Sequence, residues 1–141
     1  MRPIMDYYLD EGAVEPTRAH PQDAGLDLYA MQDQAILEGG SASFDTGVHM
    51  LLPKDTYGKI EGKSGLNVRY GVVSLGGVID EGYTGSVVVK LYNLGDKPYM
   101  IRRGDKIAQL IIMPCVKPVL RPVDSFAQTE RGANGFGSSG R

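Results

Sequence analysis

The chain has 141 residues, 42% hydrophobic and 23% charged, and a formal net charge of −2 from 15 basic and 17 acidic side chains. That length holds one domain and excludes a multidomain enzyme, and the apolar fraction excludes a wholly disordered chain. No run of like charge supplies the clustered Lys and Arg that bind long nucleic acid, so no nucleic-acid partner is expected and a small anion remains.

The 19 glycines and 8 prolines predict many turns and few helices. In chain order, MRPIMDYYLD lacks the apolar stretch of a signal peptide, and Asp10 to Asp23, rich in Glu, Pro, Arg and His, reads as a surface excursion. Leu26 and Leu28 alternate, as do Val48, Met50 and Leu52. One short helix is expected at Ser64 to Tyr70, with Ser64 as N-cap and Gly71 just past its end. Further strands are expected at Val72–Leu75, Val78–Ile79, Val87–Tyr92, Tyr99–Ile101 and Ile107–Met113, all β-branched or aromatic runs. The turns at Glu38-Gly39-Gly40, Asn93 to Asp96 and Arg103-Gly104-Asp105 suit an antiparallel sandwich or barrel. Asp124 to Arg141 contains no Val, Ile, Leu or Met, too little to offset its ordering entropy, so residues 1–123 form the domain and 124–141 a flexible arm. Leu110 to Val116 is the longest apolar stretch, far too short for a membrane, and the single Cys115 has no disulfide partner; a cytoplasmic protein with no membrane partner is expected.

Several chemistries fail on residue count. His20 and His49 are the only histidines and neither has ligand spacing to another candidate, which argues against zinc. Pro114-Cys115 lacks the second cysteine of a zinc-dependent base deaminase. Gly62-Lys63-Ser64 matches only the end of a Walker loop, because the required earlier glycine is Tyr57.

Five short segments remain: AGLDLYA (24–30), GKSGL (62–66), GGVIDEGYTG (76–85), GDKIAQLI (104–111) and RGANGFGSSG (131–140). Each has a structural explanation when taken alone. Asp27 serves as a strand-end acid, Lys63 as a solvated charge, Asp80 as a hairpin-turn residue and the terminus as a disordered linker. Together they describe a different object. GKSGL opens a helix whose free N–H groups, with the Ser64 hydroxyl and the Lys63 ammonium, suit phosphate oxygens. GGVIDEGYTG is hairpin chemistry with space for a flat ligand against its backbone, and a carboxylate at Asp80 can take a proton from an attacking water. In RGANGFGSSG, Arg131 offers a bidentate charge, Phe136 a stacking face and Ser138 and Ser139 donors, on glycines that let backbone approach a ligand; this is a lid that orders on its ligand.

In this order the five segments, spanning residues 24 to 140, resemble the homotrimeric all-β deoxyuridine triphosphate nucleotidohydrolase (dUTPase) family. The resemblance implies a jelly-roll-like distorted β-barrel with one short helix and a flexible C-terminal tail, assembled as a homotrimer with shared active sites. It implies hydrolysis of dUTP to dUMP and pyrophosphate with Mg2+, limiting uracil in DNA and supplying dUMP for dTMP synthesis. By resemblance Asp80 activates the water and Tyr83 packs against deoxyribose, excluding a 2′-hydroxyl. Gly77, Val78, Ile79 and Asp80 lie on the hairpin whose backbone reads uracil. Lys63, Ser64, Gly65 and Gln109 match phosphate-binding positions, and Ser74 stands where some members carry a substrate-contacting asparagine. Arg131, Phe136, Gly137, Ser138 and Ser139 belong to the tail that closes over a neighbouring subunit's site. Asp27 matches the first-motif acid, acting near the metal through water. One ion bridging phosphate oxygens needs no dense acidic cage.

Two positions depart from the family pattern. Lys63 stands where arginine is usual, replacing a bidentate guanidinium by a point charge. Asn134 stands where glycine is common, and asparagine tolerates positive φ. Two other readings are carried alongside. A dCTP deaminase-like enzyme of the same fold needs a glutamate in the strand after the hairpin, where this chain has Lys90. A regulatory, protein-binding relative would use a surface such as the Asp10 to Asp23 excursion.

Overall fold

The computed structural model describes residues 2–137, 139 and 140. Eleven strands and one helix run through the described residues. They are β1 (Asp6–Leu9), β2 (Leu26–Tyr29), β3 (Gln34–Ile36), β4 (Ser41–Asp45), β5 (Val48–Leu51), β6 (Thr56–Glu61), α1 (Ser64–Tyr70), β7 (Val72–Ser74), β8 (Val78–Ile79), β9 (Val88–Asn93), β10 (Tyr99–Ile101) and β11 (Lys106–Pro114). All pairings are antiparallel, in sheets ordered β2-β11-β6-β8, β4-β9-β7, β1-β5 and β10-β3. The architecture is all-β, as expected.

Strand periodicity decides what is buried. Along β4 Ala42 and Phe44 point inward while Ser41, Ser43 and Asp45 face out, and along β9 Val89 and Leu91 point inward while Val88 and Lys90 do not. Leu28 from β2, Val48 and Met50 from β5, Val72 from β7, Ile101 from β10 and Ile107 and Leu110 from β11 complete one core. Burying a side chain of this size stabilises by roughly 1.5–3 kcal/mol, so the core rather than any loop holds the site in place. Its two neutral polar members are satisfied. The Thr46 hydroxyl donates to the Val87 carbonyl at 2.7 Å, and Asn93 Nδ2 donates to the carbonyls of Ile36 and Lys97 at 2.9 and 2.7 Å. The Thr46 bond fixes the point where the chain leaves the predicted hairpin and enters β9.

The expected strands at β2, β5, β7, β8, β9, β10 and β11 form, while β1, β3, β4 and β6 are additional. β6 escaped notice because Gly58 interrupts its apolar pattern. A Cβ at Gly58 would lie 3.0 Å from Leu110 Cδ1 and 3.2 Å from Ile79 Cβ, so packing between β11 and β8 demands the glycine. The helix has its expected span, with Gly71 left-handed at φ 69° and its N–H donating to the Asn67 carbonyl. Its N-cap is Lys63 rather than Ser64, and no side chain caps it, so Ser64 begins the helix with its hydroxyl uncommitted to capping. Beyond Pro114 the described chain adds no strand, and Val116, Val119, Leu120 and Phe126 are exposed. No helix among the described residues is long and apolar enough to cross a membrane.

Candidate active site

Of the sequence-predicted residues, Lys63, Ser64, Ser74 and Gln109 line one concavity and Val78, Ile79, Asp80 and Tyr83 line another. The first is a cradle of about 280 Å³ lined by Glu61, Gly62, Lys63, Ser64, Asn67, Val73, Ser74 and Gln109, where β6 runs into α1 beside β7 and β11. Gln109 lies opposite both Glu61 and Asp27 in its two strand pairings, which brings the fourth segment against the first and second. Its Nε2 donates to the Gly62 carbonyl at 3.0 Å, bracing the loop that carries Lys63. Gly25 makes room for this amide, since a Cβ there would fall 2.3 Å from Gln109 Oε1 and 2.9 Å from Gln109 Cβ. Ser64 and Gly65 are exposed at the helix start, and a Cβ at Gly65 would meet nothing within 4 Å, leaving open space before the backbone.

Asp27 sits beneath this cradle at 4% exposure, with Lys63 Nζ 2.5 Å from Oδ1 and Lys106 Nζ 3.3 Å from Oδ2. A buried carboxylate requires such compensation, and two ammonium groups around one acid leave a net positive charge in this cluster. Asp27 therefore has no free oxygen for a metal in this arrangement. Among the described residues no group of three or more His, Cys, Asp and Glu side chains stands ready to hold an ion. The donor set does not fit a protein-caged magnesium; it fits an anion.

The second concavity, about 230 Å³, is lined by Val78, Ile79, Asp80, Tyr83, Ser86, Val87 and Val88. It is built by the hairpin between β7 and β9. Gly76 and Gly77 have φ of 92° and 151°, and the Gly77 carbonyl accepts the Ile60 N–H at 3.0 Å, so the glycine pair turns the chain onto β6. Ile79 is buried and pairs with Gly58, while Val78 and Asp80 face outward. The Tyr83 N–H donates to the Asp80 carbonyl at 3.0 Å, closing the turn. The Tyr83 hydroxyl donates to the Ser86 carbonyl at 2.8 Å, folding the ring back over Gly85. A Cβ at Gly85 would lie 2.4 Å from the Tyr83 hydroxyl and 2.5 Å from Cζ, so glycine is required for this ring position. The Asp80 side chain is exposed, and no described residue gives it a hydrogen bond or an ion pair.

Glu81, next in the chain, is tied down instead. It accepts the Asp55 N–H at 2.6 Å and a bond from Lys117 Nζ at 2.7 Å. Lys117, then the Asp55 amide, hold its carboxyl below the usual carboxylate range, and Glu81 in turn raises Lys117. On the far side of the hairpin, His49 on β5 lies 2.8 Å from the Thr84 carbonyl through Nδ1 and 3.0 Å from Asp10 Oδ1 through Nε2.

No described residue of the tail lines either concavity. Arg131 Nε donates to the Asn134 carbonyl at 2.7 Å within the tail itself, and Phe136, Gly137 and Ser139 are exposed. The left-handed non-glycine residue here is Phe136, φ 50°, rather than Asn134. Ser138 lies outside the described residues. Lys90 faces outward on β9 with Nζ 5.3 Å from the Tyr92 ring centroid. Lys106, Gly25, Gly85, Ser86, Glu81 and His49 were not singled out by sequence. The glycines lay within the chosen segments, but their role depends on a side chain folding across them, which chain order does not encode.

Comparison with known proteins adds four findings. The dUTPase family model matches residues 12–140. The deoxyuridine 5′-triphosphate nucleotidohydrolase of Clostridium acetobutylicum is 38% identical over 134 residues, covering 94% of this chain and 92% of its own. The dUTPase of Staphylococcus bacteriophage 80alpha with dUPNHPP superposes with a TM-score of 0.90 at 29% identity, covering 99% of this chain and 100% of the other. A mutant dUTPase from phage phi11 of S. aureus, whose structure reveals coordination of a structural Mg(II) ion, has a TM-score of 0.82 at 26% identity over 88% of this chain and 99% of its own.

Proposed function

The chain belongs to the dUTPase family, and from that membership we propose that it hydrolyses dUTP to dUMP and pyrophosphate in the cytoplasm, by attack of water on the α-phosphorus. The observation that carries the reading is Asp80 itself: a carboxylate unshared among the described residues, beside the Tyr83 ring, in a concavity otherwise lined by apolar side chains, Ser86 and backbone. Asp80 accepts a proton from the water as its oxygen bonds to phosphorus and the bond to the pyrophosphate oxygen breaks. The backbone of Gly77 to Asp80 reads uracil. The Tyr83 ring, held by Ser86 and cleared by Gly85, forms the wall against deoxyribose.

Lys63, Ser64, Gly65 and Gln109, with Ser74 at the rim, take the phosphates. Magnesium bound to the substrate phosphates would screen their charge, a role that asks for no acidic cage from the protein. Asp27 acts on this region by fixing Lys63 and Lys106, and reaches the ion through water only if those lysines turn to the phosphates.

Among the described residues, the two concavities share no lining residue and the tail lines neither. This supports a homotrimer in which hairpin, cradle and tail come from neighbouring copies, with Arg131, Phe136, Gly137, Ser138 and Ser139 closing a neighbour's site. The apolar residues Val116, Val119, Leu120 and Phe126, unburied within one chain, suit the same assembly. Lys90 stands against deamination, because an ammonium cannot serve as the carboxylate that reaction needs.

Pyrophosphate release from dUTP, dTTP, UTP and dCTP, with and without magnesium, tests the reading. Magnesium-stimulated release from dUTP alone is expected; equal turnover of UTP would refute the role of Tyr83, and ammonia from dCTP would replace the assignment.

A further inference from the structure

His49 stands outside the machinery described above, yet it holds one end of it. It lies on β5 opposite Tyr8 of β1, and the two rings stack at 4.4 Å between centroids with planes 4° apart. The stack fixes the imidazole edge-on, with Nδ1 against the Thr84 carbonyl and Nε2 against the Asp10 carboxylate. Thr84 lies between Tyr83 and the glycine that lets the Tyr83 ring fold back. Both oxygens facing the ring are acceptors. Only imidazolium has two N–H donors, so both contacts are attractive only when His49 is protonated.

We propose that protonated His49 is a positioning residue that clamps the Tyr83–Gly85 end of the substrate hairpin, and that its deprotonation releases the hairpin and weakens dUTP binding. This rests on the dUTP reading of the site. The direction of release follows from the partners. A neutral ring keeps the single N–H where the bond is charge-assisted, on Asp10. Nδ1 then turns a lone pair toward the Thr84 carbonyl, which repels it. The groups facing the ring are the Asp10 carboxylate after β1, the Tyr8 ring from β1, the Thr84 carbonyl from the hairpin and, farther off, the Asp45 carboxylate at the end of β4. The Thr84 carbonyl first, then the Asp10 carboxylate and more weakly Asp45, lift His49 above its ordinary 6.5, against a smaller opposing effect of burial. The hairpin contact is therefore complete below about pH 6.5 and is lost as pH rises through the raised value.

Imidazole and amide NMR of the full chain, recorded beside dUTP kinetics from about pH 5.5 to 8.5, tests the clamp. Both ring nitrogens should carry protons at the acid end, and the Thr84 and Gly85 amide resonances should titrate with the His49 midpoint. KM for dUTP should rise roughly three- to tenfold across that midpoint, the effect of losing one hydrogen bond, with kcat nearly constant. Asp10→Asn keeps an acceptor but removes the charge, and should move the resonance and KM midpoints down together. His49→Gln should abolish this rise in KM. A His49 titration that leaves Thr84 and Gly85 unmoved would overturn the clamp, as would a KM transition that Asp10→Asn does not shift. A chain that hydrolyses no dUTP would refute the activity instead, and the resonances would still decide the clamp.

Discussion

An aspartate lies beneath the cradle and another on the hairpin, and the two are kept in opposite states. Asp27 is buried between two lysines, while Asp80 is exposed with no partner among the described residues. A buried carboxylate with both oxygens engaged is a scaffold: it holds positive charge beneath the cradle. A carboxylate left unshared beside a small concavity is free to accept a proton. One residue type thus serves two ends through surroundings alone.

The hairpin acid is where the contrast breaks most severely. Asp80→Asn should lower kcat by about 10²–10⁴-fold while nucleotide still binds, as measured by single-turnover pyrophosphate release beside equilibrium titration. Unchanged turnover would remove Asp80 from the chemistry. Deleting residues 131–141 should cost on the order of 10²-fold in turnover through lost positioning, with oligomer mass by sedimentation preserved. Gly85→Ala forces the Tyr83 ring from its place. It should destabilise the chain by roughly 1–3 kcal/mol and lower the preference for dUTP over UTP, read from kcat/KM for each.

Scaffold changes should be felt in stability first. Lys63→Met should cost about 1–3 kcal/mol in urea unfolding, and Lys106→Met less, because its contact is longer and its side chain more exposed. Equal losses would mean that the two lysines share Asp27 evenly. The smallest effect belongs to Glu81, whose folded-state carboxyl titrates below its ordinary value. It stabilises the chain above the unfolded value near 4.5 and loses that contribution as pH falls through the folded one. The stability difference between the parent and Glu81→Gln should therefore shrink as pH drops below about 4.5, in urea titrations.

Sequence reading reached the strands whose apolar residues are β-branched or aromatic, such as β9 and β11, because burial on alternate positions leaves that pattern directly. It missed β4, where the inward residues are Ala42 and Phe44 among serines, and β6, where packing replaced a side chain by Gly58. The site segments were legible for a similar reason: small residues beside a lone charge have few structural uses. Pairings across the fold were not. That Lys106 shares Asp27, that Gly25 clears Gln109 and that His49 reaches Thr84 depend on strand register, which no single segment states.

In the proposed trimer, hairpin, cradle and tail act across copies. Chains carrying Asp80→Asn with an intact tail, co-refolded with chains lacking residues 131–141 but retaining Asp80, test it directly. Tails acting in trans predict that mixed trimers, verified by native mass spectrometry, recover dUTP hydrolysis well above the sum of the two parents. Mixed trimers no more active than that sum would show that each tail closes only its own chain's hairpin, and would rule out action across copies.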